Sequence, residues 1–194
     1  MAWDTERTKA LLLEAGAAEF SAYGLAGARV DRIAEAAGVN KERIYSYFGS
    51  KQGLFGAVLT DQLARVMDAV PLVGDGPEAV VDYAGRVLDY QCAHPELARL
   101  TMWEGLELGV PVDEEARAER TAAKLARLRE AVPALSREQA AELLLTIITL
   151  ADGYQALPQM DRLYTQGEPR DAARIARRRA AVTGAVRAIL AELD

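Results

Sequence analysis

Two side chains invite a catalytic reading. Cys92 and His94 are the one cysteine and the one histidine in 194 residues, two positions apart. A thiol beside an imidazole is the pattern of an activated nucleophile. Here the pairing is weak, because residues two apart on a helix point away from each other and Pro95 follows at once. A structural zinc site takes four ligands, more than these two supply. No convergent acid–base set stands in for them, so the expectation is a non-enzyme with no metal and no cofactor. The stretch with usable chemistry is 30–51, VDRIAEAAGVNKERIYSYFGSK. Between 40 and 51, Lys41, Arg43 and Lys51 face a single acid, Glu42, and interleave with Tyr45, Ser46 and Tyr47. Cations with hydroxyl donors suit a polyanion: phosphate oxygens accept from all of them, and arginine or lysine also bonds the guanine edge.

Two short helices must position these groups. Ahead of Gly38, Ile33, Ala34 and Ala37 share one helical face. After it, Val39, Ile44 and Tyr47 form the inner face of a second helix. Glycine at the pivot turns the backbone where a side chain would be strained, and the small Ala34 lets the helices approach. Asn40 suits the cap of the second helix, with a side-chain oxygen free to accept an orphan N–H. This is a helix-turn-helix pattern, whose second helix is free to enter a major groove.

The remaining elements read as helices too. The first is expected over 4–22, with Leu12, Leu13, Ala17 and Phe20 on one stripe, Asp4 and Glu6 at its positive end, and Gly24 beyond it. The second and third span 29–36 and 40–47. Gly49 ends the third, Ser50 caps a long fourth over 51–70, and 71–77 breaks the chain. A fifth runs 77–93 with Pro77 at its first position, a sixth 96–108 and a seventh 113–132. Ser136 and Gln139 form a capping box for a strongly apolar eighth, 137–157. Residues 158–169 read as a loop before a final helix, 170–193. The fold expected is all-α, about nine helices, with a DNA-binding unit at 1–53 and a helical bundle at 54–194.

Charge is distributed unevenly. The net charge is −6, yet residues 1–55 hold seven cations and seven acids, so the surplus acid lies in the later part. One such modest footprint binds DNA weakly, and two held about 34–36 Å apart bind a two-fold site. At 51% apolar residues the chain is globular, no apolar run spans a bilayer, and the first residues lack a signal peptide's apolar core. One cysteine fits a reducing cytoplasm. The alternative is an all-α small-molecule binder or scaffold whose helix-turn-helix only packs, without DNA binding.

The pieces AAEFSAYG (17–24), IAEAAGVN (33–40), IYSYFGSK (44–51) and QGLF (52–55) resemble the tetracycline-repressor (TetR) family of bacterial regulators. The resemblance covers about the first 60 residues. It implies a homodimer on a palindromic operator, usually a repressor, released by a small molecule in the C-terminal part. Carried over by position, it makes the third helix the recognition helix. Asn40 heads that helix, Lys41 and Arg43 reach base edges or nearby phosphates, and Tyr45 and Ser46 touch the backbone. Tyr47 adds a phosphate bond or serves as core. Lys51 holds a phosphate at the start of the fourth helix, aided by the helix dipole. Arg29 stands where the family often has a hydroxyl cap and contacts phosphate instead. Asp31 stands where some relatives carry a basic residue.

The last two long helices are the dimer candidates. Leu143, Leu144, Ile147, Ile148 and Ala151 make a broad apolar face, with Leu145 and Leu150 beside it. Ile175, Val182, Val186 and Ile189 recur at helical spacing with Gly184 among alanines. Such helices from two chains suit an isologous four-helix contact. Arg170, Arg174 and Arg177 to Arg179 read as a solvated face with ion pairs. Tyr83, Tyr90, Met102, Trp103 and Tyr154 are candidates to line an effector cavity, their aromatic and thioether surface suiting an apolar ligand.

Overall fold

The computed structural model describes residues 2–193, with side chains from Thr5 onward, so the expected role of Asp4 at the first helix's end lies outside the described residues. Among the described residues there are ten helices and no strand. They are α1 (Ala2–Gly27), α2 (Val30–Ala37), α3 (Glu42–Phe48), α4 (Lys51–Ala69), α5 (Pro77–Ala93), α6 (Glu96–Glu107), α7 (Glu114–Ala131), α8 (Arg137–Ala156), α9 (Pro158–Tyr164) and α10 (Ala172–Ala191). No single one is long and apolar enough to cross a membrane.

Local signals set most boundaries. Gly24 breaks α1 with φ +69°. Gly38 closes α2 in the left-handed region at φ +65°, with Gly38 N–H bonding Glu35 O and Val39 N–H bonding Ala34 O. This two-bond closure satisfies carbonyls the helix would otherwise leave open. Ser50 Oγ accepts the Gly53 amide at 2.9 Å to start α4. At α8 the capping box is complete: Ser136 Oγ accepts Gln139 N–H, and Gln139 Oε1 accepts Ser136 N–H. Asp171 Oδ1 caps α10 by accepting the Arg174 amide at 2.8 Å. The stretch after Pro158, expected as loop, holds α9. Proline at its first position fixes φ for a helical turn and removes an N–H that had no partner there.

The chain forms two compact units. The first is Met1–Arg65 with Glu96–Glu114, and the second is Val66–Pro95 with Glu115–Asp194. The compact division thus differs from the expected 1–53 and 54–194: most of α4 and all of α6 go with the first three helices. In unit one, Leu12, Phe20, Ile33, Ile44, Leu54 and Phe55 are fully buried. Phe20 and Phe55 meet edge-to-face with centroids 5.2 Å apart. Each ring is worth about 1.5–3 kcal/mol by burial, and their contact about 0.5–1.5 more. Phe48, at the end of α3, is half-buried.

Unit two is built around α5. Val80, Tyr83, Ala84, Val87 and Leu88 share a buried cluster with Leu143, Ile147 and Ala151 of α8 and Val182, Val186 and Leu190 of α10. The Gly76 amide bonds Ala131 O at 2.7 Å, tying the start of α5 to the end of α7. Arginines of α10 pair across to acids of α5: Arg187 with Glu78 and Arg179 with Asp89. Of the face expected to be solvated with ion pairs, the pairs are present, Arg170 and Arg174 with Asp161 and Arg177 with Glu168, but only Arg177 is solvated: Arg174 is 14% exposed and Arg170 lies over Tyr154.

Candidate nucleic-acid interface

The outward side of α3 is built by what its inward side buries. Ile44 is fully buried and Tyr47 and Phe48 half-buried, which turns Glu42, Arg43, Tyr45 and Ser46 to solvent. Lys41, one residue before the helix, is exposed as well. Asn40 does cap this turn, though not at the first helical residue expected: its Oδ1 accepts the Glu42 amide at 3.3 Å, and the α-helix begins at Glu42. A short exposed helix carrying a cation, a phenol and a hydroxyl can meet phosphates and base edges together.

The cations are held before any partner arrives. Lys41 Nζ donates to Asp31 Oδ1 of α2 at 3.1 Å, and that bond holds the ammonium pKa above its ordinary value. Both groups are solvent-exposed, so a phosphate can displace the carboxylate with little penalty. Arg43 donates through Nη1 to the Tyr47 hydroxyl at 3.2 Å. Tyr47 therefore does double duty: its ring supports the helix and its oxygen orients Arg43.

Lys51 opens α4 as expected, and its side chain already has partners. Its Nζ donates to the carbonyls of Ala26 and Ala28, each at 3.2 Å. It thus caps the broken end of α1, with one N–H left for an anion. Arg29 is exposed and heads α2 without a side-chain cap, as its lack of a hydroxyl implies. Its backbone N–H instead donates to Glu19 Oε1 at 2.8 Å, and the same oxygen receives Arg32 at 2.5 Å through Nη2. That bond raises the Arg32 pKa, against a smaller lowering by burial.

The positioning groups that the sequence did not reveal come from α6. Arg99 Nε donates to Ser21 O at 2.7 Å, Trp103 Nε1 donates to the same carbonyl at 3.2 Å, and Glu107 Oε2 accepts the Ala26 amide at 2.8 Å. A Cβ on Gly24 would collide with Trp103 and Glu107. These partners lie 78 to 82 residues apart in sequence, so no local pattern signals them.

The effector candidates do not gather in one unit. Trp103 lies in unit one with its indole N–H engaged as above, and Met102 beside it is exposed. Tyr83, Tyr90 and Tyr154 lie in unit two. Tyr83 is buried under Lys124, whose Nζ is 5.5 Å from the ring centre. Tyr154 is buried with Arg170 4.2 Å from its ring centre, and burial raises its hydroxyl pKa. Tyr90 packs on His94, ring centres 4.4 Å apart, which turns the imidazole to α5's own surface. Burial pushes the Cys92 thiol up, against the direction a nucleophile needs.

The profile described as bacterial regulatory proteins, tetR family, matches residues 12–58. That described as tetracyclin repressor-like, C-terminal domain, matches residues 79–188. Among curated relatives, the HTH-type transcriptional repressor SCO4008 of Streptomyces coelicolor is 40% identical over 176 residues, 84% of this chain and 86% of that one. The HTH-type transcriptional repressor NicS of Pseudomonas putida is 32% identical over 113 residues, 56% of this chain and 53% of that one. The crystal structure of SCO4942 from Streptomyces coelicolor superposes with a TM-score of 0.75 at 32% identity, covering 94% of this chain and 97% of that one. With family matches over both ends of the chain and a 40% identical relative covered over most of its length, the protein belongs to the TetR family of bacterial regulators and is a DNA-binding regulator of transcription, not an enzyme.

Proposed function

We propose that this regulator is a cytoplasmic homodimeric repressor, bound to a two-fold-symmetric operator through α3 and released by a small molecule held in the second unit. The observation that carries the DNA reading is the solvent-facing set Lys41, Arg43, Tyr45 and Ser46 on one short helix. Arg29, Asn40, Tyr47 and Lys51 flank it. Arg43, oriented by Tyr47, reads a base; Lys51 and the N-terminal amides of α4 take a phosphate. Repression is supported by the relatives SCO4008 and NicS, both HTH-type transcriptional repressors. The working domain boundary at 53/54 separates the DNA-contacting residues from the rest.

Dimerisation through α8 and α10 draws on residues other than most of those expected. Leu143, Leu144, Ile147, Val182 and Val186 are consumed by the chain's own core. What stays outside is Leu145, 61% exposed, and the small-residue run Ala180, Ala181, Gly184, Ala185 and Ala188 on α10. Small residues let a partner helix approach closely, and a Cβ on Gly184 would meet nothing within 4 Å.

For release, α4 runs unbroken from the capped Ser50 turn to Ala69, beginning in unit one and ending in unit two. An effector that favours one arrangement of the bundle then shifts α4, changes the recognition-helix spacing and breaks register with DNA. Equal spacing in ligand-bound and DNA-bound forms would sink this mechanism. Tyr83, Tyr90 and Tyr154 remain the candidate walls of unit two; Met102 and Trp103 belong to unit one and are not part of that set.

The function is tested by selecting DNA from a random pool with purified protein, then measuring affinity at two salt concentrations. An inverted repeat whose affinity falls with salt is expected. No enrichment by a folded dimer refolded free of ligand refutes the reading.

A further inference from the structure

Asp152 differs from the acids around it. In unit two, Glu78 pairs with Arg187, Asp82 with Arg86, Asp89 with Arg179, and Asp161 with Arg170 and Arg174. Asp152, near the end of α8, has no such cation. Among the described residues its one hydrogen bond comes from Gln91 of α5, whose Nε2 donates to Oδ1 at 2.6 Å. Burial alone raises its carboxyl pKa, to about 6, with no charged side chain contributing. Gln91 is 3% exposed, and its Oε1 has no donor. That oxygen belongs to the carboxamide already bonded to Asp152. Two acceptors from two helices therefore lie next to each other, one of them part of an uncompensated acid.

A protein keeps buried acceptors without donors, and a buried carboxylate without a counter-charge, only against a free-energy penalty. A partner that answers both must bring N–H donors and positive charge. A neutral donor satisfies the oxygens and leaves the charge. An anion is repelled by both groups. One turn earlier on each helix stand Leu88, fully buried, and Ile148, packed on the core, so the surroundings favour an apolar body.

We propose that Gln91 and Asp152 form the headgroup site for an organic cation bearing N–H donors, such as an amidinium, a guanidinium or a protonated amine, on an apolar body. This rests on the reading of unit two as the effector unit and names its ligand class. Gln91 fixes the carboxylate through Nε2 and offers Oε1 as the second acceptor. The cation bridges Oε1 and the Asp152 carboxylate.

The test titrates ligand-free, full-length protein by calorimetry with benzamidinium, benzamide and benzoate, which share a shape and differ in charge and donors. Benzamidinium is expected to bind at least about ten-fold tighter than benzamide, with benzoate the weakest. Asp152→Asn is expected to erase that preference, and Gln91→Met to weaken it. A wild-type protein without a benzamidinium preference, including one that binds none of the three, overturns the proposal. So does an Asp152→Asn variant that keeps the preference. If that variant instead dissociates the dimer while probe binding is unchanged, the carboxyl belongs to the subunit contact and the site is refuted. Operator affinity is measured on the same samples. A wild-type protein that lacks the cation preference while its DNA binding is intact refutes this site alone, and absent DNA binding with the preference intact refutes the regulator reading alone.

Discussion

Replacing Asp152 by asparagine should make the protein more stable at pH 7. Asparagine keeps a carbonyl oxygen at the right place to accept Gln91 Nε2, now 2.6 Å from the carboxylate. What disappears is the need to ionise a buried acid. Burial lifts the carboxyl from 3.8 to about 6, and at 1.36 kcal/mol per unit this is a penalty of about 3 kcal/mol once the group is charged. Partial solvent access and the small change in hydrogen bonding reduce the expected gain to about 2 kcal/mol. The sign follows from proton counting. Between about pH 4 and 6 the folded chain holds a proton that the unfolded chain has released, so stability falls as pH rises across that window. Above pH 6 the penalty is constant, and below pH 4 it is absent.

The assay is urea denaturation of both proteins at one concentration, at pH 4.5, 5.5 and 7, with the slope m compared as well as the midpoint. The variant should gain about 2 kcal/mol at pH 7, roughly 4–8 °C in Tm for a chain of this size. Its advantage should shrink towards pH 4.5. A variant that loses stability at pH 7, or gains the same amount at all three pH values, would show that Asp152 is not a strained acid. A loss at pH 7 would point to a cation partner in the assembled protein, a pH-independent gain to a cause other than ionisation, and with either the reasoning fails.

Other perturbations separate roles at the DNA-facing end. Arg43→Ala should change preference among operator variants, by about 1–3 kcal/mol at the base it reads; equal loss on every sequence, measured by fluorescence anisotropy, would demote it to a phosphate contact. Lys51→Ala should weaken binding to all sequences and flatten the salt dependence, and it should also lower stability by about 1–2 kcal/mol through the uncapped Ala26 and Ala28 carbonyls. Gly24→Ala should cost at least about 2 kcal/mol in urea titrations, since the residue adopts φ +69° and its new methyl meets Trp103 and Glu107. Leu145→Arg should shift sedimentation towards monomer if α8 packs across a two-fold axis, while circular dichroism of the monomer stays helical.

The parts of the fold legible in the sequence are those with local causes. Gly38 with Ala34, Ser50 with Gly53, Ser136 with Gln139 and Pro77 each act within a few residues, and each shows its expected bond or position. The α3 face was legible for the same reason, because a seven-residue helix that buries Ile44 has little choice over what it exposes. Contacts between distant segments were not. Trp103 has the size and polarity of a cavity wall, and only the folded chain shows its N–H on Ser21. Lys51 was read from its position in a motif, while the carbonyls it bonds lie 23 and 25 residues earlier. Asp152 passed unnoticed as one acid on an apolar helix, since its lack of a cation is a fact about its neighbours in space.

The α6 contacts change how the regulator's parts must be apportioned. Recognition needs α2 and α3 held at a fixed angle, and their attachment to α1 is the connection at 24–29, where the helix breaks. A glycine at positive φ would leave that connection loose. It is held instead by Lys51 on two carbonyls, Glu19 on the Arg29 amide, and Arg99, Trp103 and Glu107 of α6 on Ser21 and Ala26. Most of these bonds engage backbone groups that the break in α1 leaves without helical partners, so losing one exposes an orphan as well as removing a contact. By packing α6 belongs to the first unit, although the chain joins it to α5 and α7. Substitutions at Trp103 or Glu107 should therefore alter operator affinity through the connection at 24–29, which a fluorescence-anisotropy titration of each variant against the wild type checks.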